Sequence, residues 1–114
     1  MPRNPRLDRI NTPVDLLDYE IVQEQALALG RLGRALEAAL ATLRAFDDAH
    51  PASSTPPTER QARRALVDAA GHALWMFVVQ REACGLRDSR AIMREYKVPP
   101  EVQHRMGASG GGNR

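Results

Sequence analysis

Apolar residues recur with helical spacing over two long stretches of the chain. In the first stretch a seven-residue repeat is filled by Val22, Leu29, Leu36 and Leu43, and the alternate positions of the same seam by Leu32, Ala39 and Phe46. This spacing is typical of a helix with one coiled-coil-like apolar face. The pattern predicts one long helix over residues 13–48.

The start and the end of this helix carry local signals. Thr12, Pro13 and Asp15 form a sequence that favours a helix start, because Thr can cap the backbone, Pro fits the first helical position and an early acid takes up unpaired N–H groups. Three prolines between residues 50 and 57 exclude a helix there and predict a turn.

A second helix is predicted over residues 58–84. Thr58 and Gln61 have the spacing of a capping box, and Gly85 suits the position after a helix end. Residues 73–79 are apolar on every side of the predicted helix, which one neighbouring helix cannot cover. We therefore expect more than one element to pack around this stretch.

The length of the first helix limits the shape of the molecule. At 1.5 Å per residue it spans roughly 54 Å, more than a compact globule of this chain length. If the helices form an antiparallel hairpin, Gly30 and Gly33 lie near Trp75 or Phe77, and residues 13–22 extend beyond the second helix. We expect an elongated monomer with an apolar end that something must cover.

The closing segment, residues 85–107, is the predicted cover. It contains signals for two short helices, over residues 88–96 and 99–106. Their apolar residues are Ile92, Tyr96, Val98 and Val102. We expect these side chains to be buried against Leu17 and Ile21.

These elements predict an all-α fold, a long antiparallel helical hairpin capped by two short helices. Residues 12–107 form one helical domain, with a flexible arm at 1–11 and a flexible Gly-rich tail at 108–114. The apolar excess of two long helices predicts a homodimer in the form of a four-helix bundle, and a helix from another protein is the alternative partner. Predicted interface residues are Leu29, Leu36, Trp75 and Phe77.

Composition narrows the possible functions. The formal net charge of +2 is too small to indicate nucleic-acid binding by itself. Cys84 is the only cysteine, which excludes an intrachain disulfide and fits a reducing cytoplasm. The longest apolar run, residues 73–79, is too short to span a bilayer. We expect a cytoplasmic protein with no membrane association.

Few residues have the spacing of a catalytic or metal site. Glu101 and His104 have the Glu-x-x-His spacing of di-iron bundles, but only one copy occurs. Asp68 and His72 lie one helical turn apart without an evident third ligand. Cys84 lies at a helix C-terminus, where the helix dipole disfavours a thiolate. We predict neither an enzyme nor a cofactor, and a metal-dependent bundle enzyme is the least favoured alternative.

Residues 91–102, AIMREYKVPPEV, resemble the middle of a bacterial helix-turn-helix, where a Tyr-Gly-Val turn precedes a Ser-Pro-Glu helix start. Lys97 stands in place of the usual Gly, and Val102 falls one residue early. The resemblance implies a small DNA-binding regulator that uses residues 88–106. Its nucleic-acid contacts would come from Arg90, Arg94, Lys97 and Arg105.

Three stretches together, LGRLGRALEAAL, VVQREACGLRDSRAIMREY and VPPEVQHRMG, resemble a family of short bacterial helical proteins known as a domain of unknown function. The resemblance covers most of residues 13–107 and implies an all-helical fold with no assigned activity. We therefore expect a non-catalytic helical protein–protein interaction module that homodimerises.

Overall fold

The computed structural model describes residues 12–51 and 56–107. Within them the chain forms four helices and no strand: α1 (Pro13–Ala49), α2 (Pro57–Ala83), α3 (Ser89–Glu95) and α4 (Pro100–Arg105). The two long helices pack against each other, which confirms the predicted all-α class and its four elements. The predicted arm at 1–11 and tail at 108–114 lie outside the described residues, as do residues 52–55 of the turn.

The cap predicted for the start of α1 is present, and the one predicted for α2 is not. Thr12 caps α1 as predicted, since its Oγ1 accepts a hydrogen bond of 3.1 Å from the Asp15 N–H. The capping box predicted at Thr58 is wrong, because α2 begins one residue earlier and Pro56 occupies the cap position without a side-chain hydrogen bond. Pro57 takes the first helical position, where its missing N–H is not needed.

The core of the hairpin lies between α1 and α2 and extends under the closing segment. Leu36, Leu40 and Leu43 are buried on α1, and Val67, Ala70, Leu74, Phe77 and Val78 are buried on α2. The closing segment adds Ile92, Val98 and Val102 to the same cluster. Three sets of apolar side chains therefore share one core, which agrees with the expectation that several elements pack around residues 73–79.

Two contacts fix the register of the antiparallel hairpin. Arg63 bonds Asp47, and a side chain at Gly33 would meet Phe77. From the first pair to the second, the chain goes back 14 residues along α1 and forward 14 residues along α2, so the two helices are antiparallel in one constant register. The last residue of α2, Ala83, therefore lies level with about residue 27 of α1. Residues 13–26 thus extend beyond α2 by roughly 20 Å. We call these residues the overhang.

The overhang makes the molecule long. The radius of gyration is 19.1 Å, and the principal dimensions are 64 × 37 × 20 Å. A compact globule of this chain length would have a radius of gyration of roughly 13 Å. The predicted elongated shape is confirmed.

The chain turns back sharply after α2. Gly85 has a φ of +87°, the left-handed conformation that suits glycine. The Leu86 N–H bonds the Arg81 carbonyl at 2.8 Å, and the Gly85 N–H bonds the Glu82 carbonyl at 3.0 Å. This pair of bonds is a Schellman motif, which satisfies the last carbonyls of the helix and reverses the chain direction. The helix stop predicted from Gly85 is confirmed.

A second turn of the same kind separates α3 from α4. The Val98 N–H bonds the Met93 carbonyl at 3.0 Å, and the Lys97 N–H bonds the Arg94 carbonyl at 3.3 Å. Lys97 has a φ of +51° and is the one described residue other than glycine with a positive φ. A lysine thus occupies a position that favours glycine, the position where the helix-turn-helix resemblance also expects Gly.

Helix α4 lies alongside α2 and runs in the same direction. Glu101 bonds Arg63, and Arg105 bonds Asp68 further along α2. The closest approach is at Gly71, where an added Cβ would lie 2.9 Å from the carbonyl oxygen of Arg105. A glycine on α2 therefore lets the backbone of α4 come into contact with it.

The prediction that the closing segment covers the overhang is wrong. Ile92, Val98 and Val102 are buried as predicted, but in the core of the hairpin. Leu17 and Ile21 remain 56 % and 47 % exposed. The Schellman turn at residue 85 directs the closing segment back along α2, and the contacts of α4 hold it beside the middle of the hairpin.

The two glycines of α1 differ in their surroundings. At Gly33 an added Cβ would lie 3.0 Å from the Tyr96 hydroxyl and 3.4 Å from the Phe77 ring, so the predicted close approach of an aromatic residue is confirmed there. The Phe77 and Tyr96 rings meet edge to face with centroids 5.6 Å apart. At Gly30 the prediction is wrong, because the nearest atom belongs to Arg34 of the same helix, at 3.3 Å.

Candidate interaction surface

The overhang carries the largest group of exposed apolar side chains among the described residues. Its large apolar residues are exposed by 39 % to 66 %: Val14, Leu16, Leu17, Tyr19, Ile21 and Val22. Single exposed apolar side chains are ordinary, but a contiguous group marks a surface that binds something. The repeat every seven residues did not separate this part of α1 from its buried part, since Val22 continues the seam of Leu29 and Leu36.

The arrangement of these side chains defines one continuous face. Val14, Leu17 and Ile21 follow at intervals of three and four residues, so they lie on the same side of α1. Glu20 follows Leu17 by three residues and Glu24 follows Ile21 by three residues, so both border that face. Between residues 13 and 30 the sequence has four acidic residues and no basic one. The face is therefore apolar with an acidic margin.

The predicted interface residues occupy different environments. Leu36 is fully buried and Phe77 is 5 % exposed, both within the core of a single chain. Neither side chain offers surface to a second molecule in this conformation, because intrachain packing has already covered it. Leu29 and Trp75 are half-buried, and Trp75 contacts Gly107 and stacks on His72.

A smaller apolar group lies at the C-terminal end of α2. Met76, Val79 and Leu86 are exposed by 39 %, 42 % and 44 %. Leu86 belongs to the turn after α2, which is level with the inner end of the overhang. This group and the overhang therefore lie towards the same end of the hairpin, opposite the turn that joins α1 to α2.

The four residues predicted to contact nucleic acid differ in whether they form an ion pair. Arg90, Arg94 and Lys97 are exposed, and within the described residues none of them forms an ion pair. The Nε atom of Arg105, in contrast, lies 2.6 Å from a carboxylate oxygen of Asp68. Because α4 has only six residues and contacts α2, Arg105 serves to hold that helix in place.

The strongest polar contact joins three helices. The Arg63 guanidinium bonds both carboxylate oxygens of Asp47, at 2.7 and 3.1 Å, and both oxygens of Glu101, at 2.9 and 2.6 Å. Hydrogen bonding to Arg63 lowers the pKa of Asp47 and the pKa of Glu101, and it raises the pKa of Arg63. The sequence pattern did not predict this link, because its members are far apart along the chain.

The residues considered for chemistry are largely engaged in structure. Glu101 and Asp68 bond arginines, as described above, and His72 stacks on Trp75. Cys84 is half-buried at the end of α2, where the Gln80 amide approaches its sulfur at 3.7 Å. Across residues 12–51 and 56–107 no three His, Cys, Asp or Glu side chains are grouped so that they could hold a metal ion.

Comparison with known proteins identifies the class but not an activity. The model of a family of unknown function (DUF6665) matches residues 6–114. The chain belongs to that family, which confirms the resemblance to a domain of unknown function. Neither the curated proteins nor the solved structures gave a match. Within the described part of the chain, no helix combines the length and the apolar character needed to cross a membrane.

Proposed function

We propose that the protein is a non-catalytic helical interaction module of the cytoplasm that homodimerises through the overhang of α1. The observation that supports this proposal is the continuous exposed apolar face of Val14, Leu17 and Ile21, which no other described part of the chain covers. Removing apolar area from water contributes about 25 cal/mol per Å². When two overhangs cover each other, the apolar area of both is removed from water, so both contribute to the free energy of association.

The position of the exposed face favours contact end to end over a bundle along the whole hairpin. The middle of each hairpin already has its apolar side chains inside its own core, with Leu36 and Leu74 fully buried. Apolar surface remains chiefly at one end. A twofold arrangement would place two overhangs antiparallel, each against the other, and this is a self-complementary contact.

Solution mass and shape test this proposal together. Light scattering on a sizing column should give a mass near twice the 12.6 kDa of the chain. In small-angle scattering the longest dimension should be on the order of 100 Å, because two chains 64 Å long would overlap by roughly 20 Å or more. A dimer no longer than one chain would contradict the end-to-end arrangement, and a monomer at all concentrations would contradict self-association.

Paired substitutions connect the mass to the overhang. Leu17→Asp with Ile21→Asp should yield a monomer, since the change places charges in the apolar face. Ala41→Asp with Ala45→Asp is the matched control: it makes two similar changes at exposed positions of α1 with the same spacing. The control should remain a dimer. Equal masses for the two variants would show that the overhang is not the interface.

DNA binding is the second candidate function, favoured by the exposed Arg90, Arg94 and Lys97. It has less support, because a reading helix needs several residues that face the bases, and α4 is short and ion-paired through Arg105. Fluorescence anisotropy with a labelled duplex at low salt tests it. Binding that weakens steeply with salt and is lost in Arg90→Glu with Arg94→Glu would support it.

A further inference from the structure

Within residues 12–51 and 56–107, the charged side chains near the exposed end of the hairpin form no ion pair. The overhang has Asp15, Asp18, Glu20 and Glu24. The start of the closing segment has Arg87, Arg90, Arg94 and Lys97. Across the described residues none of these eight side chains takes part in an ion pair, whereas the ion pairs that exist involve α2, the last turn of α1 and α4.

We infer that, in the homodimer, the acidic margin of each overhang docks on the basic closing segment of the other copy. The overhang and the start of the closing segment have opposite charge: the former has only acids, and residues 86–97 have four basic residues against two acidic ones. The exposed Leu86 lies next to Arg87 and continues the apolar surface that an overhang would cover. This inference rests on the proposed self-association.

In this conformation the described residues do not bring the tip of the overhang to the closing segment of the same chain. The closing segment turns away from the overhang at Gly85 and runs back along α2, where α4 is held by Arg63 and Gly71. The tip of an overhang that extends roughly 20 Å past α2 lies beyond the Gly85 turn, whereas Arg90 and Arg94 of the same chain follow that turn back along α2. In a second copy, placed antiparallel, the tip of the overhang points towards those residues.

Charge complementarity determines which surface of the second copy the overhang contacts, and so how the two copies are oriented. Two overhangs alone would place acids against acids, and such like-charge contact opposes association. Contact with the basic closing segment offsets this repulsion. The interface should therefore weaken as salt rises, because exposed charges are screened at high ionic strength.

Reciprocal charge reversal tests the inference. The acid variant carries Asp15→Lys and Asp18→Lys, the two acids at the tip of the overhang, and the base variant carries Arg90→Glu and Arg94→Glu. Twofold symmetry places each substituted pair twice in the dimer, so each variant should dissociate at least tenfold more readily than the original protein, which corresponds to about 1.4 kcal/mol. Arg44→Glu with Arg64→Glu, two exposed arginines near the other end of the hairpin, is the matched control and should not change the dissociation constant.

Mixing the two variants supplies the decisive measurement. In a heterodimer the reversed overhang of the acid variant meets the reversed closing segment of the base variant, and the other contact keeps its original charges. An equimolar mixture should therefore regain the mass of a dimer by light scattering. Circular dichroism checks that both variants keep their helix content. If the base variant dimerises like the original protein, or if the mixture stays monomeric, the inference is overturned.

The outcomes separate this inference from the proposed function. A dimer that is lost in Leu17→Asp with Ile21→Asp, but unaffected in the base variant, retains self-association through the overhang and rejects docking on the closing segment. A monomeric original protein rejects both. Duplex DNA binding that the base variant loses, without any change in mass, assigns Arg90 and Arg94 to nucleic acid and rejects the inference.

Discussion

Gly71 offers the sharpest test of how α4 is held. An added Cβ would lie 2.9 Å from the carbonyl oxygen of Arg105 and 3.0 Å from its Cβ. Ordinary contacts of a Cβ begin at 3.4 Å, so α4 would have to move by about 0.5 Å. The obstructing atoms include backbone, which cannot rotate away as a flexible side chain can. Gly71→Ala should therefore loosen the packing of Val102, which is fully buried.

The magnitude follows from a comparison with Gly30. Replacing either helical glycine by alanine gains up to about 1 kcal/mol from helix propensity. At Gly30 the added Cβ meets only the flexible end of Arg34, at 3.3 Å, so most of that gain should be realised. At Gly71 overpacking costs about 1 to 3 kcal/mol. Because the propensity gain cancels, the free energy of unfolding should be about 1 to 3 kcal/mol lower for Gly71→Ala than for Gly30→Ala.

Urea unfolding followed by far-UV circular dichroism measures this difference. The fluorescence of Trp75 gives a local signal, since its indole lies beside Gly107, two residues after α4, where an added Cβ would be 3.2 Å from the indole. Gly71→Ala should shift the emission of Trp75, and Gly30→Ala should leave it unchanged. Equal unfolding free energies for the two variants, with unchanged emission in both, would refute the close contact between α4 and α2.

Two further predictions concern the same closing segment. Arg63→Gln should lower the free energy of unfolding by about 1 to 2 kcal/mol near pH 7, because two partly exposed bidentate contacts are lost, while Arg64→Gln should have little effect. Folding lowers the pKa values of Asp47 and Glu101, so this contribution is present above about pH 4 and disappears as acid protonates the two carboxylates. Urea titrations from pH 7 to pH 3 should therefore show the unfolding free energies of the original protein and of Arg63→Gln converge. A difference that stays constant with pH would contradict the assignment. Lys97→Gly should raise stability by about 1 kcal/mol, because glycine adopts a φ of +51° without strain, and Lys97→Ala should not; equal melting temperatures of the two variants would argue against the left-handed turn.

The helices could be predicted from the sequence because their signals are local. The seven-residue repeat, the Thr12 cap and the Gly85 stop each act within a few residues of the structure that they determine. The prediction of the exact start of α2 was wrong because Pro57 and Thr58 carry two competing helix-start signals. The first helical position suits proline so well that the helix begins there, which places Thr58 inside the first turn.

The path of the closing segment could not be predicted, because contacts distant in sequence determine it. The apolar residues of α3 and α4 indicate which faces are buried, but not which part of the hairpin covers them. That choice depends on the bond from Arg63 to Glu101 and on the close approach at Gly71. Neither feature has a periodic signal. The expectation that the closing segment covers Leu17 was wrong for this reason.

The uncovered overhang leads to a last prediction, about its own stability. A helix of about 14 residues without packing partners is only marginally stable in water, and the overhang gains little from α2. In a monomer its amides should exchange with solvent almost as fast as in an unfolded chain, whereas amides near Leu36 should be protected by the core. In a dimer the overhang is covered, so its protection should rise with protein concentration.

Hydrogen exchange measured by mass spectrometry at two concentrations tests this reasoning on the overhang itself. Peptides from residues 13–26 should exchange more slowly in the concentrated sample, and the same peptides from Leu17→Asp with Ile21→Asp should not change. Peptides around Leu36 provide the internal control, since their core forms within one chain. Fast exchange of the overhang in a sample that light scattering shows to be dimeric would mean that the two copies meet elsewhere, and the apolar face would then have to be sought as the binding surface of a different helix.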